Sequence, residues 1–134
     1  MSIKSITTAL LVLAFAAGCA SAPPKQARSE FEDIPVPKGL SYQPDKSTII
    51  ESPTVKAARL VYRGRLEVES LSVAMRTTLE ANGWRHVSST ATSDHGVTQV
   101  YEKASSSLEV HLIDGWWYTS VELTASRAQQ QATK

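Results

Sequence analysis

Three histidines are the side chains of this sequence best suited to bind a metal ion, and they are widely separated. His86 and His111 fall in strand-like segments, and His95 lies in the loop sequence Thr-Ser-Asp-His-Gly. Metal sites favour histidines four residues apart on a helix, or cysteines paired at short spacing. Neither spacing occurs here, so the sequence predicts no metal site and no cofactor.

Nucleophilic catalysis would need a base beside an activated hydroxyl group. The clustered serines, at positions 88–89 and 105–107, have the composition of loops and strand edges. No Gly-x-Ser-x-Gly elbow and no phosphate-binding glycine loop is present. Glu67 and Glu69 flank the start of a predicted helix, where the helix dipole already favours negative charge. The sequence therefore predicts no catalytic residues and a protein that is not an enzyme.

Three arginines could contact an anion. Arg59, Arg63 and Arg65 have the same parity in a strand-like segment, so a strand would place them on one face. They are candidates for binding an anionic group or a lipid headgroup. The alternative is a solvated strand face on which glutamates pair with the arginines.

The sequence Trp116-Trp117-Tyr118 follows a predicted Asp114-Gly115 hairpin turn. Neighbouring residues of a strand point to opposite faces, so only one of the two tryptophans can face the core. Trp117 shares parity with Val121, and we expect it to be buried. Trp116 and Tyr118 then form an exposed aromatic patch, a candidate partner surface. The alternative is that Phe31 or Ile34 covers this patch.

The single cysteine, Cys19, ends a segment with three parts. Residues 1–5 carry the free amine and Lys4, residues 6–17 are uncharged and mostly apolar, and small residues precede the cysteine. This arrangement is typical of a secretory signal. A membrane-spanning helix needs about 20 apolar residues, so the shorter run predicts a cleaved signal, with a buried N-terminal helix as the alternative.

The sequence Ala16-Ala17-Gly18-Cys19 resembles the lipobox of bacterial lipoproteins, although that motif usually has Leu where Ala16 stands. The resemblance implies cleavage between Gly18 and Cys19 and attachment of acyl chains such as palmitate at Cys19. Two or three chains suffice for stable anchoring. In diderm lipoproteins an aspartate after the cysteine commonly retains the protein at the inner membrane. Ala20 stands there, which implies an outer-membrane anchor facing the periplasm.

The mature chain would be almost neutral. Removing 18 of 134 residues leaves 116, and the loss of Lys4 leaves 13 basic residues against 13 acidic ones. Nucleic-acid binding requires a basic surface that releases counterions, so the composition argues against a nucleic-acid partner. The chain is long enough for one small domain and a tether.

Proline content and periodicity divide the chain into four parts. We expect a signal peptide at residues 1–18, a proline-rich tether at 19–31, a domain at 32–125 and a disordered tail at 126–134. A disordered linker of 25 residues is the alternative for the segment after Cys19. The predicted strands cover residues 47–51, 58–66, 84–90, 97–103, 108–113 and 116–125.

One helix is predicted at residues 70–82, with Ser70 as the N-cap and Gly83 in the left-handed conformation after its end. Gly64 is predicted to form a β-bulge. The element order β-β-α-β-β-β-β predicts a two-layer α+β domain, in which a mainly antiparallel sheet packs on one amphipathic helix.

These features favour a lipid-anchored, non-enzymatic binding or scaffold module of the bacterial envelope, with envelope proteins as partners. By architecture alone, the chain resembles the lipoprotein subunits of the outer-membrane β-barrel assembly machine. The alternative function is a small-ligand or lipid-binding lipoprotein with a cleft between helix and sheet near Tyr62 and Trp84. An envelope hydrolase would need a polar constellation that the sequence does not supply.

Overall fold

The structure of the protein is a computed structural model that describes Phe31 and residues 33–129. The predicted signal peptide, Cys19, the predicted tether up to residue 30 and residues 130–134 lie outside the described residues. Across the described part of the chain, no helix is long and apolar enough to cross a membrane.

The described residues form one α-helix and seven strands, and every strand pair is antiparallel. The helix is α1 (Val68–Ala81). The strands are β1 (Ser41–Tyr42), β2 (Thr48–Glu51), β3 (Val55–Gly64), β4 (Arg85–Ala91), β5 (Val97–Lys103), β6 (Ser106–Ile113) and β7 (Thr119–Ala128). A short 3-10 turn, Pro44–Lys46, separates β1 from β2.

The sheet has the strand order β1-β3-β7-β6-β5-β4, and β2 pairs with another stretch of β3. The central strand β7 is bonded to β3 on one side and to β6 on the other. The helix packs against one face of this sheet, which confirms the predicted α+β class. The two-residue strand β1 is an addition to the predicted element order.

The hydrophobic core fills the layer between α1 and the sheet. On the helix, the buried residues recur at spacings of three and four: Val68, Leu71, Met75 and Leu79. On β7, every second residue is buried: Thr119, Val121, Leu123 and Ala125. Spacings of three and four place the helix residues on one stripe of the helix, and a spacing of two places the strand residues on one face of the sheet.

The N-terminus of α1 differs from the prediction, because Ser70 is not the N-cap, whereas the C-terminus agrees with it. The helix begins two residues before the predicted start, with Glu67 at the N-cap position, and the Ser70 hydroxyl donates to the Glu67 carboxylate at 2.7 Å. At the other end Gly83 has a φ of +83°, as predicted. The Gly83 and Trp84 amides donate to the carbonyls of Glu80 and Leu79, which forms a Schellman motif.

The fold extends beyond both predicted limits of the domain. Phe31 and Ile34 are buried in the core. The predicted tail begins at Ser126, but β7 continues to Ala128 and remains paired with β3 and β6. The Arg127 guanidinium lies 4.8 Å from the Phe31 ring centroid and forms an ion pair with Asp33. These contacts hold the start of the described chain against the end of β7.

Gly64 is not the predicted β-bulge. It pairs in register with Thr119, and the irregularity in the sheet lies between His86 and Ser88 on β4. A Cβ atom at position 64 would lie 2.6 Å from the backbone oxygen of Gly39. Glycine is required here because the segment before β1 passes directly over the end of β3.

A polar network crosses the core between β5 and α1. The buried Gln99 amide donates to the Ser72 hydroxyl at 2.9 Å and to the Ser72 carbonyl at 3.1 Å. The Tyr101 hydroxyl donates to the Gln99 side-chain oxygen at 2.8 Å. The network satisfies a polar side chain that would otherwise be costly to bury.

We expect Gln99→Leu to lower the free energy of unfolding by about 1–3 kcal/mol, because it leaves the Tyr101 hydroxyl buried without its acceptor. Tyr101→Phe should also lower the free energy of unfolding. The double variant should lose less free energy of unfolding than the two single variants lose together. Urea denaturation of the four proteins measures this coupling. Thr98→Ala, on the opposite face of β5, is the control, and strictly additive losses would contradict the network.

Burial raises the pKa of Tyr101 to about 12, with Glu80 adding to the increase and Arg76 opposing it. In the unfolded chain a tyrosine ionises near pH 10. The folded state therefore retains this proton where the unfolded state loses it, and stability falls as the pH rises from about 10 to 12. Tyr101→Phe should show a shallower loss of stability over that range. Equal pH slopes for the two proteins would show that Tyr101 does not contribute.

Candidate functional site

The connection between β6 and β7 is a five-residue loop, residues 114–118, which we call the aromatic loop. The Asp114-Gly115 pair lies at its start, but the tight two-residue hairpin predicted there does not form. A Cβ atom at position 115 would overlap the Tyr118 carbonyl oxygen, so glycine permits the loop to fold back on itself. The loop ends where the Thr119 hydroxyl donates to the Leu66 carbonyl.

Both tryptophans of the aromatic loop are exposed. Trp116 is 90% exposed, Trp117 is 72% exposed and Tyr118 is 45% exposed. The centroids of the two indole rings are 6.5 Å apart, and the ring planes meet at an angle of 75°. The prediction that Trp117 faces the core was wrong, because the chain enters the strand only at Thr119. Strand alternation therefore begins after the tryptophans.

Residues near the start of the described chain do not cover the aromatic loop. Phe31 and Ile34 belong to the core, and Phe31 lies against Arg127 at the far end of β7. From Thr119 to Arg127 the strand advances eight residues, about 27 Å at 3.4 Å per residue. The aromatic loop and Phe31 thus mark opposite ends of the sheet.

The three candidate arginines do not act as one group. Arg59 forms a two-point contact with the Glu122 carboxylate, at 2.7 and 3.2 Å, on the adjacent strand β7. Arg65 lies over the Tyr118 ring, 5.3 Å from its centroid, which is cation–π geometry. Arg63 and Arg65 line the surface beside the aromatic loop. Among the described residues, the solvated ion pair expected as the alternative forms at Arg59 and not at Arg63 or Arg65.

Two grooves flank the aromatic loop and share Arg65 and Tyr118. The first has a volume of about 360 Å³ and extends along the loop to Leu66, Glu67 and Thr119. The second has a volume of about 520 Å³ and extends along β1 and the end of β3. It is lined by Gly39, Ser41, Gln43, Arg63, Gly64, Arg65 and Tyr118.

The two grooves differ in charge. The first is lined by Arg65 and by the carboxylates of Glu67 and Asp114, whereas the described residues that line the second include Arg63 and Arg65 but no carboxylate. Within the described residues, neither Arg63 nor Arg65 has a carboxylate within salt-bridge distance. Both donors and acceptors are therefore available to a ligand beside the exposed rings.

The histidines are dispersed in the structure. His86 contacts the Ser89 hydroxyl at 2.8 Å and makes a T-shaped contact with the Tyr101 ring. His95 lies in the β4–β5 loop, and His111 is on the solvent face of β6. Among the residues that the structure describes, no three histidine, cysteine, aspartate or glutamate side chains lie close enough together to hold a metal ion.

The alternative function placed a ligand cleft near Tyr62 and Trp84. Both are buried in the core cluster between α1 and the sheet. Trp84 follows the end of α1 in sequence, and the Lys103 ammonium lies 5.9 Å from the centroid of its ring.

Comparison with protein-family models, curated proteins and solved structures found no match to this chain. The aromatic loop and its grooves are therefore interpreted from their own geometry. The sequence signalled Trp116, Tyr118 and the arginines, but it missed Trp117 and the contribution of Gly39, Ser41 and Gln43.

The three tryptophans should respond differently to replacement by alanine. Trp84→Ala should lower the free energy of unfolding by about 3–5 kcal/mol, because it removes a buried ring. Trp116→Ala and Trp117→Ala should each change it by about 0.5 kcal/mol or less, as expected for exposed side chains. Thermal or urea denaturation makes the comparison. A large loss for Trp117→Ala would place that ring in the core after all.

Proposed function

We propose that this chain is a lipid-anchored, non-enzymatic binding module of the bacterial envelope that faces the periplasm. The observation that carries the binding role is the pair of exposed tryptophans on a loop between two polar grooves. Exposed tryptophans beside arginine are typical of surfaces that bind partners. The lipobox-like sequence before Cys19 supports the anchor.

The described geometry is compatible with such an anchor. Phe31 is twelve residues after Cys19, which permits a reach of about 40 Å when the chain is extended. Phe31 lies at the end of β7 opposite the aromatic loop. A domain attached through Phe31 can therefore present the aromatic loop away from the membrane that holds Cys19.

Replacing Cys19 by serine tests the anchor. We expect Cys19→Ser to abolish incorporation of labelled palmitate and to leave an unprocessed or soluble species, because the thiol is the proposed acylation site. Membrane fractions washed with high salt would be compared for the two proteins. Retention of the variant in washed membranes, at the level of the parent chain, would show that Cys19 is not the anchor.

Ala20→Asp is the matched variant for the choice of membrane. The parent chain should sediment with outer-membrane markers in a sucrose gradient, whereas Ala20→Asp should shift towards inner-membrane markers. Both proteins should carry palmitate. Peak abundance of the parent chain in the inner membrane would contradict the proposed localisation.

A further inference from the structure

We propose that the aromatic loop and its two grooves bind a glycan chain, with pyranose rings stacked on Trp116 and Trp117. This inference deepens the proposed binding role and rests on it. The ligand class follows from four features of the site: the exposure of the rings, the polar character of the grooves, the mixed charge of the first groove and the position of the loop.

The tryptophan rings offer the surface that a sugar ring requires. A pyranose has a face of C–H groups and a rim of hydroxyls, so it stacks on an aromatic face while its rim stays hydrated. Trp116 and Trp117 are exposed, and their planes differ by 75°. Two rings in different orientations can contact successive sugars of a chain that bends between them.

The grooves supply the hydrogen-bond partners that sugar hydroxyls need. Arg63 can donate on one side of the loop, while Asp114 and Glu67 can accept on the other. The volumes of about 360 and 520 Å³ fall within the range of about 300–1,000 Å³ typical of small-molecule sites. Donors and acceptors beside an aromatic platform suit a polyhydroxylated ligand.

A membrane surface fits these features less well. Basic clusters of about four or more cations bind anionic lipids, but within the described chain the two grooves together supply only Arg63 and Arg65, and the first groove also carries the carboxylates of Glu67 and Asp114. The aromatic loop also lies about 27 Å from the end of the sheet where Phe31 is held. With the strands perpendicular to the membrane and Phe31 nearest to it, the loop lies on the far side of the domain.

A large protein interface also fits less well. Such interfaces bury about 800 Å² on each partner and have an apolar centre. The other large apolar side chains exposed in the described part of the chain lie on different elements: Ile50, Val55, Val73 and Val87. The aromatic loop is thus a small apolar tip within polar surroundings, which is the shape of a sugar-binding platform.

The test is cosedimentation of the full-length protein, purified from cells in detergent, with insoluble peptidoglycan sacculi. We expect the parent chain to bind, Trp116→Ala and Trp117→Ala each to weaken binding about tenfold, and Arg63→Gln to weaken it by a smaller factor. Ile50→Ala, which truncates an exposed apolar side chain on β2, is the matched control and should bind normally. Unfolding curves of each variant exclude loss of the fold.

A soluble glycan distinguishes stacking of sugars on the tryptophan rings from non-specific adhesion to insoluble sacculi. Chitotetraose, a neutral chain of N-acetylglucosamine, should shift the tryptophan emission of the parent chain and compete with sacculi. Two results would overturn the proposal. One is that the parent chain sediments with sacculi no more than it does without them, and the other is that both tryptophan variants bind sacculi as well as the parent chain. The cosedimentation is performed in detergent and does not depend on acylation of Cys19, so its failure is separate from failure of the anchor.

Two other ligand classes are outcomes that would also overturn the glycan assignment. Quenching of Trp116 and Trp117 emission by brominated lipids, in vesicles with and without phosphatidylglycerol, would place the loop in a bilayer. Capture of one protein at a stoichiometric level by the parent chain, and its loss with Trp117→Ala, would identify a protein partner.

Discussion

Burial of one stripe of α1 against one face of the sheet is the constraint on which the rest of the structure depends. The helix lies over β4, β5 and β6. Met75 and Leu79 are completely buried on the helix, and Val121 and Leu123 are completely buried on the core face of β7. Since the described chain has a single helix, it covers only one face of the sheet. The opposite face carries the surface ion pair between Arg59 and Glu122.

The same constraint explains where the site can form. Thr119 is the first residue of β7 that follows the buried alternation, and its hydroxyl is bonded to the Leu66 carbonyl between β3 and α1. Residues before Thr119 are outside the strand, so they do not follow its alternation of buried and exposed side chains, and they project from the end of the sheet. The core therefore fixes the base of the aromatic loop and leaves its tip available to a ligand.

The grooves beside the loop depend on close backbone packing at the same end of the sheet. Gly64 allows the segment around Gly39 to pass over the end of β3, which brings Ser41 and Gln43 beside Arg63. Arg65 then contacts Tyr118 and connects this segment to the aromatic loop. Residues far apart in sequence meet because three strand ends converge there.

Local sequence determined the helix, its glycine terminus at Gly83, most strands and the α+β class, because hydrophobic periodicity and helix-end chemistry act over a few residues. It also indicated an exposed Trp116. The orientation of Trp117, the burial of Phe31 and the close approach at Gly64 were decided by tertiary structure. These three features depend on where a strand begins or on contact with a segment distant in sequence. The local alternation of polar and apolar residues gives no information about strand starts or about distant contacts.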